Sequence, residues 1–105
     1  MINRVILIGH LGTDPEIRHT QSGDAVAQLN LATSEKWKDQ SGELQSKTEW
    51  HKIIAWKSLA ETCAEHLSKG SKVYVEGKLQ YRKYTSDDGQ ERMVTEILAR
   101  EVKFL

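Results

Sequence analysis

The sequence predicts an all-β fold with one helix, in which five antiparallel strands are joined in order and the helix lies between the third and fourth strands. Three observations favour this fold. Short runs of alternating or β-branched apolar residues recur along the chain, turn-forming residues separate them, and only one stretch has the apolar spacing of a helix. The chain has 105 residues, the length of one domain, so we expect a single domain over residues 1–105.

The first three strands are predicted in the N-terminal half of the chain. Residues 4–9 are aliphatic and β-branched, which is typical of a buried strand. Apolar and polar residues alternate over 25–33, and residues 48–56 form the third predicted strand. The intervening residues 34–47 are polar throughout and include Gly42, so we expect a long loop. Long ordered loops are often functional.

The single helix is predicted to begin near Ser58. Ser58 and Glu61 have the spacing of a capping box. Apolar side chains then recur on one helix face at Leu59, Cys63 and Leu67. Lys69 and Gly70 follow, which suits the helix dipole and a left-handed C-cap.

The last two strands are predicted over 73–84 and 92–102, joined by the turn residues 86–89. Five strands with one helix after the third have the layout of a five-stranded antiparallel OB-fold barrel. Such barrels commonly bind oligonucleotides or oligosaccharides, but the fold alone does not establish a function.

The composition excludes several classes of protein. It is 38% apolar and 29% charged, which is typical of a folded water-soluble domain. The one cysteine, Cys63, has no internal disulfide partner, and this suits a reducing compartment. No apolar run approaches the roughly 18 residues that span a bilayer, and residues 1–4 do not resemble a signal or transit peptide. We therefore expect a cytoplasmic protein with no membrane partner.

The distribution of charge along the chain is more informative about a binding surface than the total net charge. Fifteen basic and fifteen acidic residues cancel, so the high pI of many nucleic-acid-binding domains is absent. Residues 47–57 nevertheless hold three lysines against one glutamate, a net +2, and residues 71–86 hold four basic residues against one glutamate, a net +3. Binding responds to local potential, so a neutral chain can still present a basic groove.

Aromatic residues are interleaved with these basic residues. By the period of a strand, Trp50, Lys52 and Trp56 point to one face. Two rings that flank a cation offer the stacking surface and phosphate partner that single-stranded nucleic acid requires. For each tryptophan taken alone, a position in the core is an equally good alternative to a position on a binding face. Trp37 between two lysines and Tyr84 after Arg82 and Lys83 add to the pattern, and the four aromatics together favour a binding face.

Metal and catalytic sites are not expected. Cys63 and His66 have the spacing of metal ligands on a helix, but no further pair completes a four-ligand site, and a core role for Cys63 is favoured. No P-loop, nucleophile elbow or dinucleotide fingerprint is present, so we expect no cofactor and no enzyme. His51 points away from the two tryptophans, which indicates a core or subunit-interface position.

The sequence resembles the bacterial-type single-stranded DNA-binding proteins over nearly its whole length. The likeness is carried by residues 3–18, by Leu31-Ala-Thr-Ser-Glu-Lys-Trp37, by Thr48-Glu-Trp-His51, by Leu59-Ala-Glu61 and by residues 69–79. The resemblance implies a homotetrameric OB-fold protein around which DNA is wrapped. It also implies sequence-independent binding that protects and organises exposed strands in replication, repair and recombination, at the bacterial nucleoid.

The resemblance also implies roles for individual residues. Stacking positions fall on Trp37, Trp50, Trp56 and Tyr84, although the third is commonly phenylalanine and the last tryptophan in this kind of protein. His51 matches a subunit-interface histidine. Basic positions that meet phosphates fall on Arg4, Arg18, Lys52, Lys69, Arg82 and Lys83.

Two other functions remain open from the sequence. One is a tailless OB-fold primosome accessory protein, and the other is an OB-fold adaptor whose tryptophans face a protein partner. Proteins of the resembled kind usually continue into a flexible tail with an acidic tip that recruits replication and repair proteins. This sequence stops at Leu105, so we expect a core fragment or tailless member, and recruitment through such a tip is not expected.

Overall fold

The computed structural model describes residues 1–105 as six strands and one helix. The elements are β1 (Val5–Leu11), β2 (Glu16–His19), β3 (Ala25–Lys38), β4 (Leu44–Trp56), α1 (Ser58–His66), β5 (Lys72–Thr85) and β6 (Glu91–Phe104). The strand order is β1-β5-β6-β4-β3-β2, and an additional β1–β3 pairing closes five of the strands into a barrel. The predicted class, an OB-fold barrel with one helix, is confirmed, except that β4 and β6 pair in parallel and not antiparallel.

The helix follows the fourth strand rather than the third, because the sequence did not predict β2. That strand has only four residues, all exposed, and pairs with β3 alone at the outside of the barrel. It therefore lacks the alternation of buried and exposed positions that reveals a strand in a sequence. The position of the helix along the chain is as expected.

The core fills the barrel and continues beneath the helix. The alternation in β3 sends Leu29 and Leu31 inward, where they are fully buried with Ile53 of β4 and Val75 of β5. Cys63 is also fully buried, because α1 packs mainly on β3 and β4 and turns its apolar face toward them. This confirms the predicted apolar stripe of the helix.

The helix ends differ from the prediction. Its N-cap is Lys57, whose φ is 60° and which makes no side-chain capping hydrogen bond, so Ser58 is the first helical residue and the capping box is not formed. The helix ends at His66, before Lys69 and Gly70. Gly70 instead takes a φ of 91° in the turn toward β5. No helix is long and apolar enough to cross a membrane.

The predicted loop over 34–47 is wrong for most of its length, because β3 and β4 stay paired out to Lys38 and Leu44. Only residues 39–43 form the turn. Asp39 closes it, since its Oδ1 accepts hydrogen bonds from the backbone N–H groups of Ser41 at 2.9 Å and Glu43 at 3.0 Å. The result is a long two-stranded hairpin that extends from the barrel.

Candidate nucleic-acid interface

The outer face of β3 and β4 carries the two tryptophans of the third predicted strand. Trp50 and Trp56 are 62% and 42% exposed, so the alternative of core positions is wrong. Between them on the same face lie Lys52 and the buried Ile54. The paired residues on β3 are Ala32, Asn30, Gln28 and Val26. We call the surface formed by these eight residues the tryptophan face.

At one end of the tryptophan face the Trp50 ring packs against Gly12. A Cβ at Gly12 would overlap the outer edge of the indole ring. A cleft of about 340 Å³ opens here, with Thr13, Asn30 and Lys52 among its lining residues. Asn30 Nδ2 donates to Thr13 Oγ1 over 3.1 Å, which ties the loop after β1 to the tryptophan face.

At the other end a second cleft of about 390 Å³ lies beside Trp56. The unpredicted strand β2 contributes Arg18 to it, and β5 contributes Arg82. The structure thus brings two predicted phosphate-binding residues together with one predicted stacking residue. The full lining is Arg18, His19, Thr20, Val26, Ile54, Trp56, Gln80, Arg82 and Glu96.

Glu96 of β6 was not predicted from the sequence. Its carboxylate accepts hydrogen bonds from Gln80 Nε2 at 2.9 Å and Arg82 Nε at 3.1 Å. Lys52 Nζ lies 3.9 Å from the other carboxylate oxygen. A single acid within the mostly apolar stretch 93–99 was the available signal, but its partners depend on the pairing of three separate strands.

The β5–β6 hairpin separates the basic residues of the fourth predicted strand. Arg82 pairs with Val94 and Tyr84 pairs with Arg92, on the same hairpin face as Glu96. Lys83 pairs with Met93 and therefore points to the opposite face. The structure accordingly groups Arg82 and Tyr84 with the Trp56 cleft and does not group Lys83 with them.

Trp37 also lies apart from the other tryptophans. It belongs to β3 rather than to a loop, and it pairs with Gln45. Alternation places it on the same hairpin face as Glu49 and His51, opposite to Trp50. Its ring is half-exposed, so it offers a separate aromatic surface.

Arg4 and Lys69 are outside the tryptophan face. Arg4 Nη2 forms an ion pair with Glu76 Oε1 at 2.7 Å on the outer side of β1 and β5. That hydrogen bond raises the pKa of Arg4 and lowers the pKa of Glu76. Lys69 lies in the turn after the helix, where its backbone N–H donates to Asp14 Oδ1 over 2.8 Å.

His51 lies on the face of β4 opposite to Trp50, as alternation requires. It is half-buried, and its Nε2 is 2.8 Å from Thr33 Oγ1 on the paired strand. It also contributes to the lining of the Trp50 cleft.

The cysteine and the helical histidine do not form a joint site. Burial raises the pKa of the Cys63 thiol to about 11. The His66 ring instead packs at 5.7 Å from the ring of Phe104. No group of three or more His, Cys, Asp or Glu residues lies close enough to hold a metal ion.

A five-stranded OB-fold barrel that exposes tryptophans beside basic side chains is typical of proteins that bind single-stranded nucleic acid. The sequence model of the single-strand binding protein family matches residues 2–105 of this chain. The chain therefore belongs to the single-strand binding protein family.

Two solved structures show the same fold at substantial sequence identity. The Plasmodium falciparum SSB in its complex with ssDNA is 37% identical, with a TM-score of 0.89, and the match covers 100% of this chain and 96% of that one. A deletion mutant of the single-stranded DNA binding protein from Thermus aquaticus is 33% identical, with a TM-score of 0.85. That match covers 99% of this chain and 50% of the Thermus chain, so this chain spans half of its length.

Proposed function

We propose that this protein binds single-stranded DNA without sequence preference, and that the tryptophan face is its principal contact surface. The observation that carries the proposal is the exposure of Trp50 and Trp56 on one strand face, with Lys52 between them. Membership of the single-strand binding protein family and the likeness to the Plasmodium protein, which was solved with ssDNA, support it.

Base stacking on the two tryptophans supplies the sequence-independent part of the binding. Every base has a π-face, and stacking on an aromatic side chain contributes about 1–3 kcal/mol per base. Trp56 is six positions after Trp50 in the strand, which places the two residues roughly 20 Å apart. Several nucleotides of one extended strand bridge that separation, so both rings can hold the same DNA molecule.

Cations beside the rings neutralise the phosphates. Lys52 lies between the tryptophans, and Arg18 and Arg82 lie in the Trp56 cleft. Tyr84 continues this path along the β5–β6 hairpin, two residues beyond Arg82 on the same face. Trp37 contacts the same DNA strand only where the DNA passes to the other side of the β3–β4 hairpin.

We propose a homotetramer around which the DNA is wrapped. One edge of β1 is paired with β5, whereas its other edge pairs with β3 only at His10 and Leu11. Along the rest of that strand Ile6 and Ile8 are exposed. Unpaired strand edges and exposed apolar side chains are features that proteins cover in assemblies, and His51 is proposed as a further interface residue.

The biological role that fits this activity is non-catalytic. The protein protects and organises single strands that replication, repair and recombination expose, and it acts at the bacterial nucleoid. Stacking and phosphate pairing are both reversible and leave the DNA chemically unchanged, as this role requires.

The test is a fluorescence titration with oligo-dT. Stacking on DNA quenches the tryptophan emission of the wild-type protein, and Trp50→Ala and Trp56→Ala each weaken binding by about 1–3 kcal/mol. Both rings are exposed, so thermal melting should show that the variants fold.

Tyr81→Ala is a matched control, because Tyr81 is an exposed aromatic on the opposite face of the β5–β6 hairpin. An absence of quenching contradicts DNA binding and favours an adaptor; wild-type binding by both tryptophan variants contradicts the assigned face.

A further inference from the structure

Glu96 is the one charged side chain in the buried part of the molecule, with 2% of it exposed. Burying a carboxylate costs free energy unless it is paired and hydrogen-bonded. Glu96 lies in the Trp56 cleft, which is the surface we propose for DNA. An acid at this place needs an explanation, because it repels the phosphates that the neighbouring cations attract.

The contacts of Glu96 join two of those cations. Its Oε1 accepts from Arg82 Nε at 3.1 Å, and its Oε2 lies 3.5 Å from Arg82 Nη2 and 3.9 Å from Lys52 Nζ. Gln80 Nε2 adds a neutral donor at 2.9 Å. Because β6 lies between β5 and β4 in the sheet, Glu96 reaches Arg82 on one side and Lys52 on the other.

Both cations keep donors for a ligand. A guanidinium has five N–H donors, and Arg82 directs two of them at Glu96. The side chains of Arg82 and Lys52 are 49% and 29% exposed, so their remaining donors can reach the cleft. With Glu96 included, however, the three groups carry a net charge of +1 instead of +2.

We propose that Glu96 is an internal counter-anion of the DNA-binding surface. In the free protein its carboxylate holds Arg82 and Lys52, and a phosphate of the bound strand competes with it for these two cations. Glu96 thereby limits the affinity of the protein for single-stranded DNA and the salt dependence of binding. This inference rests on the proposed binding of DNA at the tryptophan face.

The variant Glu96→Gln tests the inference, because it removes the charge and keeps the size of the side chain and one of its two acceptor oxygens. We expect it to bind oligo-dT about tenfold more tightly at moderate salt, since a nearby charge that opposes the phosphate is lost. The slope of log K against log salt should also become steeper by up to about 0.7, the value for one more phosphate neutralised on a single strand. Glu96→Asp keeps the charge and should retain the wild-type slope.

Glu65→Gln is the matched control. It makes the same change in net charge, but Glu65 is exposed on the helix, away from the tryptophan face. Equal tightening by both variants would show that total charge matters and would overturn the inference. Unchanged or weaker binding by folded Glu96→Gln, while wild type binds normally, also overturns it. Failure of the wild type to bind contradicts the proposed function itself.

A measurement on the wild-type protein covers the case in which Glu96→Gln does not fold. The Arg82 Nε–H resonance is identified in an NMR spectrum by its loss in Arg82→Lys. Because this N–H donates to Glu96 in the free protein, its signal should be protected from solvent exchange and should move when oligo-dT is added. A resonance that does not change at saturating oligo-dT, in a sample whose tryptophan emission is quenched, overturns the competition between Glu96 and phosphate.

Discussion

The ring of Trp50 packs directly on Gly12, where the end of β1 meets the tryptophan face. A Cβ at Gly12 would overlap the edge of the indole ring. Gly12 is not among the residues with positive φ, so the backbone conformation does not require glycine there. What the position requires is the absence of a side chain, because the ring of Trp50 occupies that space.

Gly12→Ala should therefore displace Trp50 without unfolding the protein. The ring is mostly exposed and can turn outward at little cost in stability, but it then leaves its position for stacking. We expect oligo-dT affinity to fall, but by less than the roughly 1–3 kcal/mol expected for complete loss of one stacking ring. Fluorescence titration and thermal melting check this. In a Trp50→Ala background the same glycine change should have no further effect on affinity, and an undiminished effect there would contradict the relationship.

The alternation of residues in a strand was sufficient to predict the tryptophan face. A strand turns every second side chain to the same side, so the placement of Trp50, Lys52 and Trp56 on one face followed from spacing alone. Their exposure could not be predicted, because burial depends on which surface other elements cover. In the structure both tryptophans on this face are exposed, whereas the opposite face, with Ile53, lines the core.

The β3–β4 hairpin shows why the long loop was a wrong prediction. Both faces of this two-stranded ribbon contact solvent over most of residues 34–47, so no alternation of apolar and polar residues marks the strands. The turn itself did have a signal in Gly42, whose φ is 84°. Strand pairing here is fixed by Asp39 and by the backbone ladder, neither of which leaves a periodic apolar pattern.

The arrangement of side chains around the Trp56 cleft could not be predicted from the sequence, because it depends on contacts between distant strands. Arg18 reaches the Trp56 cleft because β2 pairs with β3. Glu96 meets Lys52 because β6 pairs in parallel with β4. Alternation also assigns Lys83 and Arg82 to opposite faces, but only the strand pairing shows which of them faces the cleft.

The salt dependence of binding should distinguish Arg18 from Lys83. Each phosphate that a basic side chain neutralises on a single strand releases counterions and contributes about −0.7 to the slope of log K against log salt. Arg18→Ala should make the slope shallower by up to that amount at every base composition. Lys83→Ala makes the same change in net charge on the opposite face of the β5–β6 hairpin, and its slope should stay at the wild-type value. Titrations with oligo-dT and oligo-dA at four salt concentrations measure this; an equal change in both variants would contradict the assignment of faces.

Asp39 should make the stability of the β3–β4 hairpin depend on pH. Hydrogen bonds from Ser41 and Gln45 are the main causes that lower the pKa of its carboxyl group. The stabilisation is complete above the unfolded-state pKa of about 4 and is lost as the pH falls through the lower folded-state pKa. Asp39→Asn should therefore lower the melting temperature at pH 7, and its difference from wild type should shrink in acid. Asp87→Asn, in the exposed turn of the other hairpin, is the control and should change little at either pH.

Assembly should depend on His51. Its imidazole is half-buried beside Thr33 on the face of β4 opposite to Trp50, the position that the family resemblance assigns to a subunit interface. His51→Lys adds a longer, charged side chain, which disfavours association where a partner is packed against it. The defect should be greatest at low protein concentration and should fade as concentration rises. Sedimentation velocity over a dilution series measures it.

Glu49→Gln is the control for this experiment, because Glu49 is exposed two residues away on the same strand face and the change in charge is also +1. It should assemble as the wild type does at every dilution. DNA affinity of His51→Lys should fall only at concentrations where the assembly has dissociated, since the wrapped surface is then lost. Because His51 also lines the Trp50 cleft, the opposite result has a clear meaning: a variant that stays assembled at every dilution yet binds oligo-dT weakly places His51 in the binding surface and not in the interface.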